Sequence, residues 1–281
     1  MQKTIQYIKN ELAGIYPESE IQGLIRIIME WITGWDYTQQ NINKETQLKE
    51  TELQKTVSVI NRLKKNEPIQ YILEETEFLG LNIKVTPDVL IPRSETEELV
   101  LWILKKNKNL NSKILDIGTG SGCIALALKE KLQKAKIWGV DISDAALEIA
   151  KENSLLNHLD VEYIKADILQ WQKFYWETYD IIVSNPPYVR ESEKMQMHDN
   201  VIFYEPAVAL FVSDADPLIF YRNIAGFAME KLNDNGWIFF EINESFGSEM
   251  FELLHDFGYK NIELNQDING KKRMICGSKK L

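Results

Sequence analysis

Cysteine and histidine are scarce in this sequence, which has two cysteines and three histidines among 281 residues. Cys123 and Cys276 lie far apart and lack metal-ligand spacing, so we expect free, buried thiols in a reducing compartment rather than a disulfide framework. His158, His198 and His255 show no ligand spacing either. The sequence therefore predicts no metal site.

Positive charge is also in short supply, because 32 Lys and Arg residues stand against 42 Asp and Glu residues, a net charge of −10. Binding nucleic acid through its phosphates requires clustered Lys and Arg, so direct nucleic-acid contact is disfavoured. No apolar run has the length of a membrane span, and the polar stretch 1–6 begins a helical pattern rather than a signal peptide. We expect a cytoplasmic protein without a membrane segment.

Residues 1–75 carry apolar side chains at helical spacing and predict a small helical bundle. A first helix precedes Pro17, a second begins there and ends at Gly34, and a third spans residues 52–65. The side chains expected to face inward are Ile5, Ile8, Leu12, Ile15, Ile21, Leu24, Ile25, Ile28, Ile32, Val57, Ile60 and Leu63. Such a bundle either packs on the next domain or binds a macromolecular partner, and the pattern does not separate these roles.

Residues 76–92 are expected to link two domains. The segment 78–85 alternates around Gly80, as in a short β-hairpin. Pro92 then fixes the entry into a helix, and Ser94 or Thr96 is expected to cap its first turn.

From Lys113 onwards, strand and helix patterns alternate, which predicts a mostly parallel sheet wrapped by helices. The segments 259–264 and 273–277 are predicted to be strands with no helix between them, so we expect them to pair as an antiparallel edge of the sheet. Residues 93–281 are thus expected to form an α/β domain of Rossmann-like type.

A glycine-rich turn follows the first strand of this domain. Gly118, Gly120 and Gly122 let the backbone turn sharply and approach a ligand, and the helix that follows offers free amides to an anion. The spacing differs from the Gly-x-Gly-x-x-Gly of nicotinamide-binding folds, because position 123 is cysteine. Asp116, just before the turn, suits a ligand with an ammonium and a carboxylate better than a pyrophosphate. S-adenosylmethionine carries both groups.

Acidic residues also end the next two strands. Asp141 is placed to accept hydrogen bonds from both hydroxyls of a ribose, and Asp167 ends the third strand beside an adenine pocket. With Asp116 and Asn185, these residues place polar side chains at four strand ends, where open α/β sheets bind ligands. We therefore predict S-adenosylmethionine as the cofactor.

The stretch Asn185-Pro186-Pro187-Tyr188 ends an apolar strand, because proline cannot donate to a sheet ladder. The side-chain carbonyl of Asn185 and the backbone carbonyl of Pro186 can accept from the two hydrogens of a planar amine, and Tyr188 can pack on its face. Holding both N–H bonds directs the lone pair of a poorly nucleophilic nitrogen. We predict Asn185, Pro186, Pro187 and Tyr188 as the catalytic segment.

Together these motifs resemble those of the protein-(glutamine-N5) methyltransferases that modify peptide chain release factors. The resemblance rests on Glu67-Pro68-Ile69-Gln70-Tyr71-Ile72, Ile91-Pro92-Arg93-Ser94-Glu95-Thr96-Glu97, Asp116-Ile117-Gly118-Thr119-Gly120-Ser121-Gly122, Val140-Asp141-Ile142-Ser143, Asn185-Pro186-Pro187-Tyr188-Val189 and Tyr204-Glu205-Pro206 with Ala209-Leu210. These segments span most of the chain in the expected order, so the resemblance is more specific than any one motif.

The resemblance implies a class I methyltransferase fold for residues 93–281 and a helical domain, residues 1–75, that docks the release factor. It implies that Asn185 and the carbonyl of Pro186 hold the glutamine amide of the factor's Gly-Gly-Gln motif. We expect the release factor as protein partner, no direct nucleic-acid contact, and a monomer. The expected cofactor-binding residues are Asp116, Gly118, Thr119, Gly120, Ser121, Gly122, Asp141, Ile142, Asp167, Ile168 and Asn185.

The chain departs from the family pattern at Ser94, where proline is usual, and at Asn243, where glycine is expected. Three other functions would use the same motifs. An N6-adenine or N2-guanine nucleic-acid methyltransferase is disfavoured by the acidic charge. A glutamine methyltransferase of a ribosomal protein is disfavoured by the N-terminal segments, and a non-enzymatic S-adenosylmethionine-binding protein by the intact Asn185 and Tyr188.

Overall fold

In the computed structural model, which describes residues 1–280, the chain folds as two units. The first contains Met1–Glu74 together with His198–Tyr204. The second contains residues 75–197 and 205–280. The hairpin expected as a linker lies within the second unit.

The first unit is a bundle of helices, as predicted. Its consecutive helices are α1 (Gln2–Leu12), α2 (Glu18–Thr33), α3 (Tyr37–Ile42), α4 (Glu50–Leu63) and α5 (Ile69–Leu73). Gly34 ends α2 in the left-handed region with φ of 69°. The sequence reading missed α3, although Asp36 caps it by accepting a 2.7 Å hydrogen bond from the Gln39 amide.

The core of the bundle is aliphatic, and two of the predicted inward residues are outside it. Val57 is 41 % exposed, whereas its neighbours Thr56 and Val59 are buried. Because α4 begins at Glu50 and turns 100° per residue, its buried face runs through Thr56, Val59, Ile60 and Leu63. Ile15 is exposed as well, since α1 ends before it.

The distant segment His198–Tyr204 completes the first unit. The hydroxyl of Tyr204 donates a 2.8 Å hydrogen bond to the backbone carbonyl of Lys65. This segment comes from the loop region that follows the predicted catalytic stretch, and nothing in its local pattern indicates that it joins the helical bundle.

The second unit alternates strands and helices after an initial hairpin. Its elements are β1 (Glu75–Phe78), β2 (Leu81–Lys84), α6 (Ser94–Lys106), β3 (Lys113–Ile117), α7 (Cys123–Lys131), β4 (Lys136–Asp141), α8 (Asp144–Leu156), β5 (Glu162–Lys165), β6 (Tyr179–Ser184), β7 (Val189–Arg190), α10 (Ala207–Leu210), β8 (Phe211–Val212), α11 (Ile219–Lys231), β9 (Leu232–Glu241), α12 (Gly247–Asp256), β10 (Lys260–Gln266) and β11 (Lys272–Ser278). Helix α9 (Asp199–Tyr204) lies between β7 and α10 in sequence but belongs to the first unit. The sequence reading missed α10 and the short pair of β7 with β8.

Seven strands form the main sheet in the order β10-β11-β9-β6-β3-β4-β5. Strands β9, β6, β3, β4 and β5 are parallel, and β10 and β11 are antiparallel at one edge. The predicted Rossmann-like sheet with an antiparallel edge is thus confirmed. The chain leaves β3 towards β4 on one side and returns to β6 on the other, so a topological switch point lies between β3 and β6.

The two faces of the sheet are covered by different helices. On one face, Ile182 of β6 and Phe240 of β9 belong to a buried cluster with Tyr221 of α11 and Met250 of α12. Phe239 points to the opposite face because side chains alternate along a strand, and its ring packs edge-on against Trp102 of α6. No helix among residues 1–280 combines the length and apolar character that crossing a membrane requires.

Candidate active site

The carboxyl ends of β3 and β6 lie side by side at the switch point. Ile117 is in register with Ser184, and the buried Ser184 hydroxyl donates a 2.6 Å hydrogen bond to the Ile117 carbonyl. Gly118 and Asn185 follow directly. A β-carbon on Gly118 would lie 4.0 Å from the backbone carbonyl oxygen of Asn185. The glycine-rich turn and the predicted catalytic segment are therefore neighbours.

The turn itself requires glycine at three positions. Gly118, Gly120 and Gly122 have φ of 73°, 54° and 82°, a region that other residues rarely adopt. At Gly122 space is limiting too, because a β-carbon would lie 2.8 Å from the Tyr163 hydroxyl. The backbone amides of Gly118 and Thr119 both donate to the Val140 carbonyl, which fastens the turn to β4.

Asp116 lies behind the turn and is fully buried. The Thr119 hydroxyl donates a 2.6 Å hydrogen bond to its Oδ2 atom. Burial raises the pKa of Asp116 to about 7, against the lowering effect of hydrogen bonds from Thr119 and the Ala125 amide. Asp116 thus shapes the turn from below, which accords with an indirect anchoring role.

Asp141 and Asp167 stand at the ends of neighbouring strands and organise the backbone around them. Asp141 accepts from the Gly120 amide at 2.9 Å and from the Ser143 amide at 3.0 Å. Asp167 accepts from the Leu169 amide at 2.9 Å. A carboxylate oxygen has two acceptor sites, so both residues keep lone pairs for a ligand.

One cavity joins these groups within the second unit. Most of the predicted cofactor and catalytic residues line it: Gly118, Thr119, Gly120, Ser121, Asp141, Ile142, Asp167, Ile168, Asn185, Pro186 and Pro187. Three predicted residues, Asp116, Gly122 and Tyr188, do not line it. Residues that the prediction did not include, such as Leu90, Val208 and Phe220, also line it.

The loop after β6 presents two acceptors. No backbone amide among residues 1–280 donates to the Pro186 carbonyl, and Asn185 lines the cavity. Tyr188 makes a different contact, because its hydroxyl donates a 3.1 Å hydrogen bond to Oε1 of Glu241. Burial, then the Glu241 charge, raises the pKa of Tyr188. Its packing on the amine stays a prediction.

Thr96 does not cap α6, so that prediction is wrong. Its hydroxyl donates a 2.6 Å hydrogen bond to Oε2 of the buried Glu241, and it accepts from the Asn185 amide at 3.3 Å. Ser94 does not cap the helix either. Sequence reasoning missed Glu241, although an acidic residue in the buried run of β9 is itself a signal of an internal polar contact.

Two further contacts hold the loops around the cavity. Arg93 forms an ion pair with the buried Glu205 at 2.5 Å. Both residues lie in segments on which the resemblance rests, so each has a structural role. Asn243, where glycine was expected, donates to the Tyr188 carbonyl at 3.4 Å and to Glu193 at 3.2 Å. The side chain at this departure from the family pattern thus contacts the predicted catalytic segment.

Each unit contains a segment that matches the model of a known protein family. The model of the PrmC N-terminal domain matches residues 3–73, and that of the methyltransferase small domain matches residues 95–213. A release factor glutamine methyltransferase of Flavobacterium psychrophilum is 46 % identical over 268 residues, 94 % of each chain. The chain belongs to the release factor glutamine methyltransferase family. A second relative of that name, from Bacteroides thetaiotaomicron, is 42 % identical and covers 99 % of this chain and 100 % of its own.

Solved structures confirm the methyltransferase fold in this family member. A methyltransferase from Pyrococcus furiosus matches with a TM-score of 0.54 at 19 % identity, covering 72 % of this chain and 90 % of its own. A 16S rRNA N2 G1207 methyltransferase of Thermus thermophilus, solved with AdoMet and guanosine, matches with a TM-score of 0.52 at 18 % identity, covering 73 % of this chain and 50 % of its own. At such identities the likeness concerns the fold alone.

Proposed function

We propose that this chain transfers a methyl group from S-adenosylmethionine to the side-chain amide nitrogen of the glutamine in the Gly-Gly-Gln motif of peptide chain release factors. The observation that carries the proposal is the pair of acceptors, Asn185 and the Pro186 carbonyl, beside a glycine-rich turn in one cavity. Membership of the release factor glutamine methyltransferase family supports the choice of substrate.

The residues around the cavity fit S-adenosylmethionine. Gly118 and Gly120 leave the turn without side chains on its ligand side, and the amides at the beginning of α7 suit a carboxylate. Asp141 has acceptors for ribose hydroxyls, and Ile142 lines the cavity although it is 53 % exposed, as an aliphatic partner of an adenine ring would be. When bound, S-adenosylmethionine supplies an electrophilic methyl group on a positively charged sulfur.

The chain's own residues act on the nitrogen that accepts the methyl group. An amide nitrogen is a poor nucleophile, because its lone pair is delocalised into the carbonyl. Asn185 and the Pro186 carbonyl accept from its two hydrogens, which orients the lone pair and favours the pyramidal nitrogen of the transition state. No side-chain base is required, since the methylated, positively charged amide is strongly acidic and loses its proton to water.

The helical unit serves the same reaction in this proposal by docking the release factor. Its match to the PrmC N-terminal domain model supports this role. The proposal places the chain in the cytoplasm, where release factors act.

Mass spectrometry of the glutamine-containing peptide tests the proposal. Purified release factors are incubated with the protein and S-adenosylmethionine, with total tRNA and DNA as parallel substrates and the Asn185→Ala variant as control. We expect one added methyl group on the glutamine of Gly-Gly-Gln, formed much more slowly by the variant. An unmodified peptide beside methylated nucleic acid would show that the substrate is a base amine instead.

A further inference from the structure

A short chain of hydrogen bonds connects Asn185 to the buried Glu241. The Asn185 side-chain nitrogen donates to Thr96 Oγ1 at 3.3 Å, and the Thr96 hydroxyl donates to Glu241 Oε2 at 2.6 Å. The Tyr188 hydroxyl donates to the other oxygen, Oε1. Glu241 is 1 % exposed. Three segments far apart in sequence, namely α6, the loop after β6 and β9, thus meet at Asn185, and Thr96 and Asn185 both line the cavity.

While Glu241 is ionised, the number of protons fixes the direction of these hydrogen bonds. An ionised carboxylate only accepts, whereas a threonine hydroxyl has one hydrogen to donate. Glu241 takes the hydrogen of Thr96, so Thr96 presents only a lone pair to Asn185. The Asn185 atom that contacts Thr96 must then be its NH2 group, and Oδ1 must point to the other side.

This orientation matters because the two ends of an asparagine amide have nearly the same shape. Shape alone does not select between the two flipped states, and hydrogen bonds do. In one state Asn185 offers an acceptor to the glutamine NH2 group. In the opposite state it offers two donors to a group that itself can only donate, and the contact is repulsive.

We propose that Glu241, acting through the hydroxyl of Thr96, fixes the flip state of the Asn185 amide and thereby makes Asn185 an acceptor for the amine that is methylated. Thr96 and Glu241 are positioning residues in this scheme. The consequence for turnover rests on the proposed function, whereas the orientation of the amide can be measured without any methyl acceptor.

Glu241 supports this orientation only while it is ionised. Thr96 and Glu95 face it from α6, Tyr188 from the loop after β6, and Arg273 from β11. Burial raises the pKa of Glu241, whereas the hydrogen bonds from Thr96 and Tyr188 and the charge of Arg273 lower it. A protonated carboxyl can donate to Thr96, whose own hydrogen is then free for Asn185, and the opposite flip becomes possible.

The first arm of the test is NMR spectroscopy of the Asn185 side-chain amide, assigned by its absence from the Asn185→Asp spectrum. Thr96→Val keeps the shape of residue 96 and removes the hydroxyl, while Thr96→Ser keeps the hydroxyl and removes the methyl group. We expect Thr96→Val to speed solvent exchange of the Asn185 amide by about tenfold, the effect of losing one weak hydrogen bond, and Thr96→Ser to preserve it. Unchanged exchange and chemical shifts in Thr96→Val would overturn the proposal.

The second arm is turnover of the release-factor peptide. We expect Thr96→Val to lower kcat by about tenfold or more while Thr96→Ser stays within about threefold, with the KM for S-adenosylmethionine nearly unchanged in both. In the Asn185→Ala background, Thr96→Val should cause no further loss. Thr76→Val, on the hairpin strand β1, is the matched control. If Thr96 serves only packing, Thr96→Ser is the more damaging change.

The pH profile tests Glu241 itself. Wild-type turnover is expected to fall as the pH drops through the pKa of Glu241, and Thr96→Val, which lacks the relay, is expected to lack this step. The same acidic step in both proteins would overturn the role of Glu241. A wild-type protein that leaves the release-factor peptide unmodified contradicts the proposed function, while the NMR arm still decides the orientation of Asn185.

Discussion

The hydroxyl of Ser184 donates a 2.6 Å hydrogen bond to the carbonyl oxygen of Ile117. This contact joins the last residues of β6 and β3, and the next residue on each strand, Asn185 and Gly118, belongs to the candidate site. This buried hydroxyl thus adds to the backbone pairing of β3 with β6 in holding the acceptor segment beside the glycine-rich turn.

Ser184→Ala is expected to destabilise the protein by about 1–3 kcal/mol, because the Ile117 carbonyl loses a buried partner. Urea denaturation measures the free energy of unfolding. Ser248→Ala, at an exposed position of α12, is the control and should remain within about 0.5 kcal/mol of wild type. Equal stability of the two variants would show that the Ser184 contact contributes nothing.

Asn185→Ala is expected to reduce kcat by about 100-fold or more, since an acceptor that acts in the transition state is removed. Binding of the product S-adenosylhomocysteine, measured by calorimetry, should change much less. Asn265→Ala, at an exposed position of β10, controls for a general effect of amide removal. Full turnover by Asn185→Ala would refute the assignment of this residue.

Asp141→Asn is expected to weaken cofactor binding by roughly 10- to 100-fold, because hydrogen bonds to a charged acceptor are worth about 1.5–3 kcal/mol. The substitution also turns one acceptor into a donor opposite the amide of Gly120 or Ser143. Calorimetry with S-adenosylhomocysteine measures the change. Asp144→Asn, three residues further and largely exposed, should bind like wild type.

Gly122→Ala is expected to destabilise the protein and to weaken cofactor binding. A β-carbon there meets the Tyr163 hydroxyl at 2.8 Å and the Ala150 β-carbon at 3.2 Å, at φ of 82°. Gly23→Ala, in the middle of α2 with no atom within 4 Å of the new carbon, is the contrasting change. It should stabilise the helix by about 0.5–1 kcal/mol. Thermal unfolding of both variants checks the contrast, and a Gly122→Ala protein as stable as wild type would contradict it.

The free energy of unfolding is expected to depend on pH through the ionisation of Asp116. Burial raises its pKa in the folded protein from 3.8 to about 7, so the folded state binds a proton more tightly than the unfolded chain. The contribution of Asp116 to the free energy of unfolding is therefore full below about pH 4 and is lost as the pH rises towards 7. Relative to wild type, Asp116→Asn should gain about 1.4 kcal/mol of unfolding free energy per pH unit between about pH 5 and 6.5.

Urea denaturation at several pH values checks this prediction. Asp256→Asn, at an exposed position at the end of α12, is the control and should follow the wild-type dependence. A constant difference between Asp116→Asn and wild type across this range would show that Asp116 does not titrate there.

Much of the site could be predicted because its residues follow strands. Asp141 is the last residue of one apolar strand, and Asn185 directly follows another. The carboxyl ends of parallel strands meet at one edge of a sheet. The prediction was wrong for Thr96, because a role in its own helix seemed enough to explain this residue. Thr96 near the start of a helix suggests a cap, whereas its partner Glu241 is 145 residues away. The prediction that Val57 faces inward was wrong for a smaller reason. Neighbouring residues of a helix are rotated by 100°, so a shift of one position moves a side chain off the buried face.

The sequence by itself determined the order of the main strands and helices and the position of the glycine turn, and it predicted the catalytic segment, because periodicity, proline and glycine act over a few residues. Only the tertiary structure decided which polar groups meet. It brought Thr96 to Glu241, set Tyr188 beside the cavity rather than in its lining, and joined His198–Tyr204 to the helical unit. Such contacts depend on the packing of distant segments and on the pairing of buried polar groups, which no local pattern encodes.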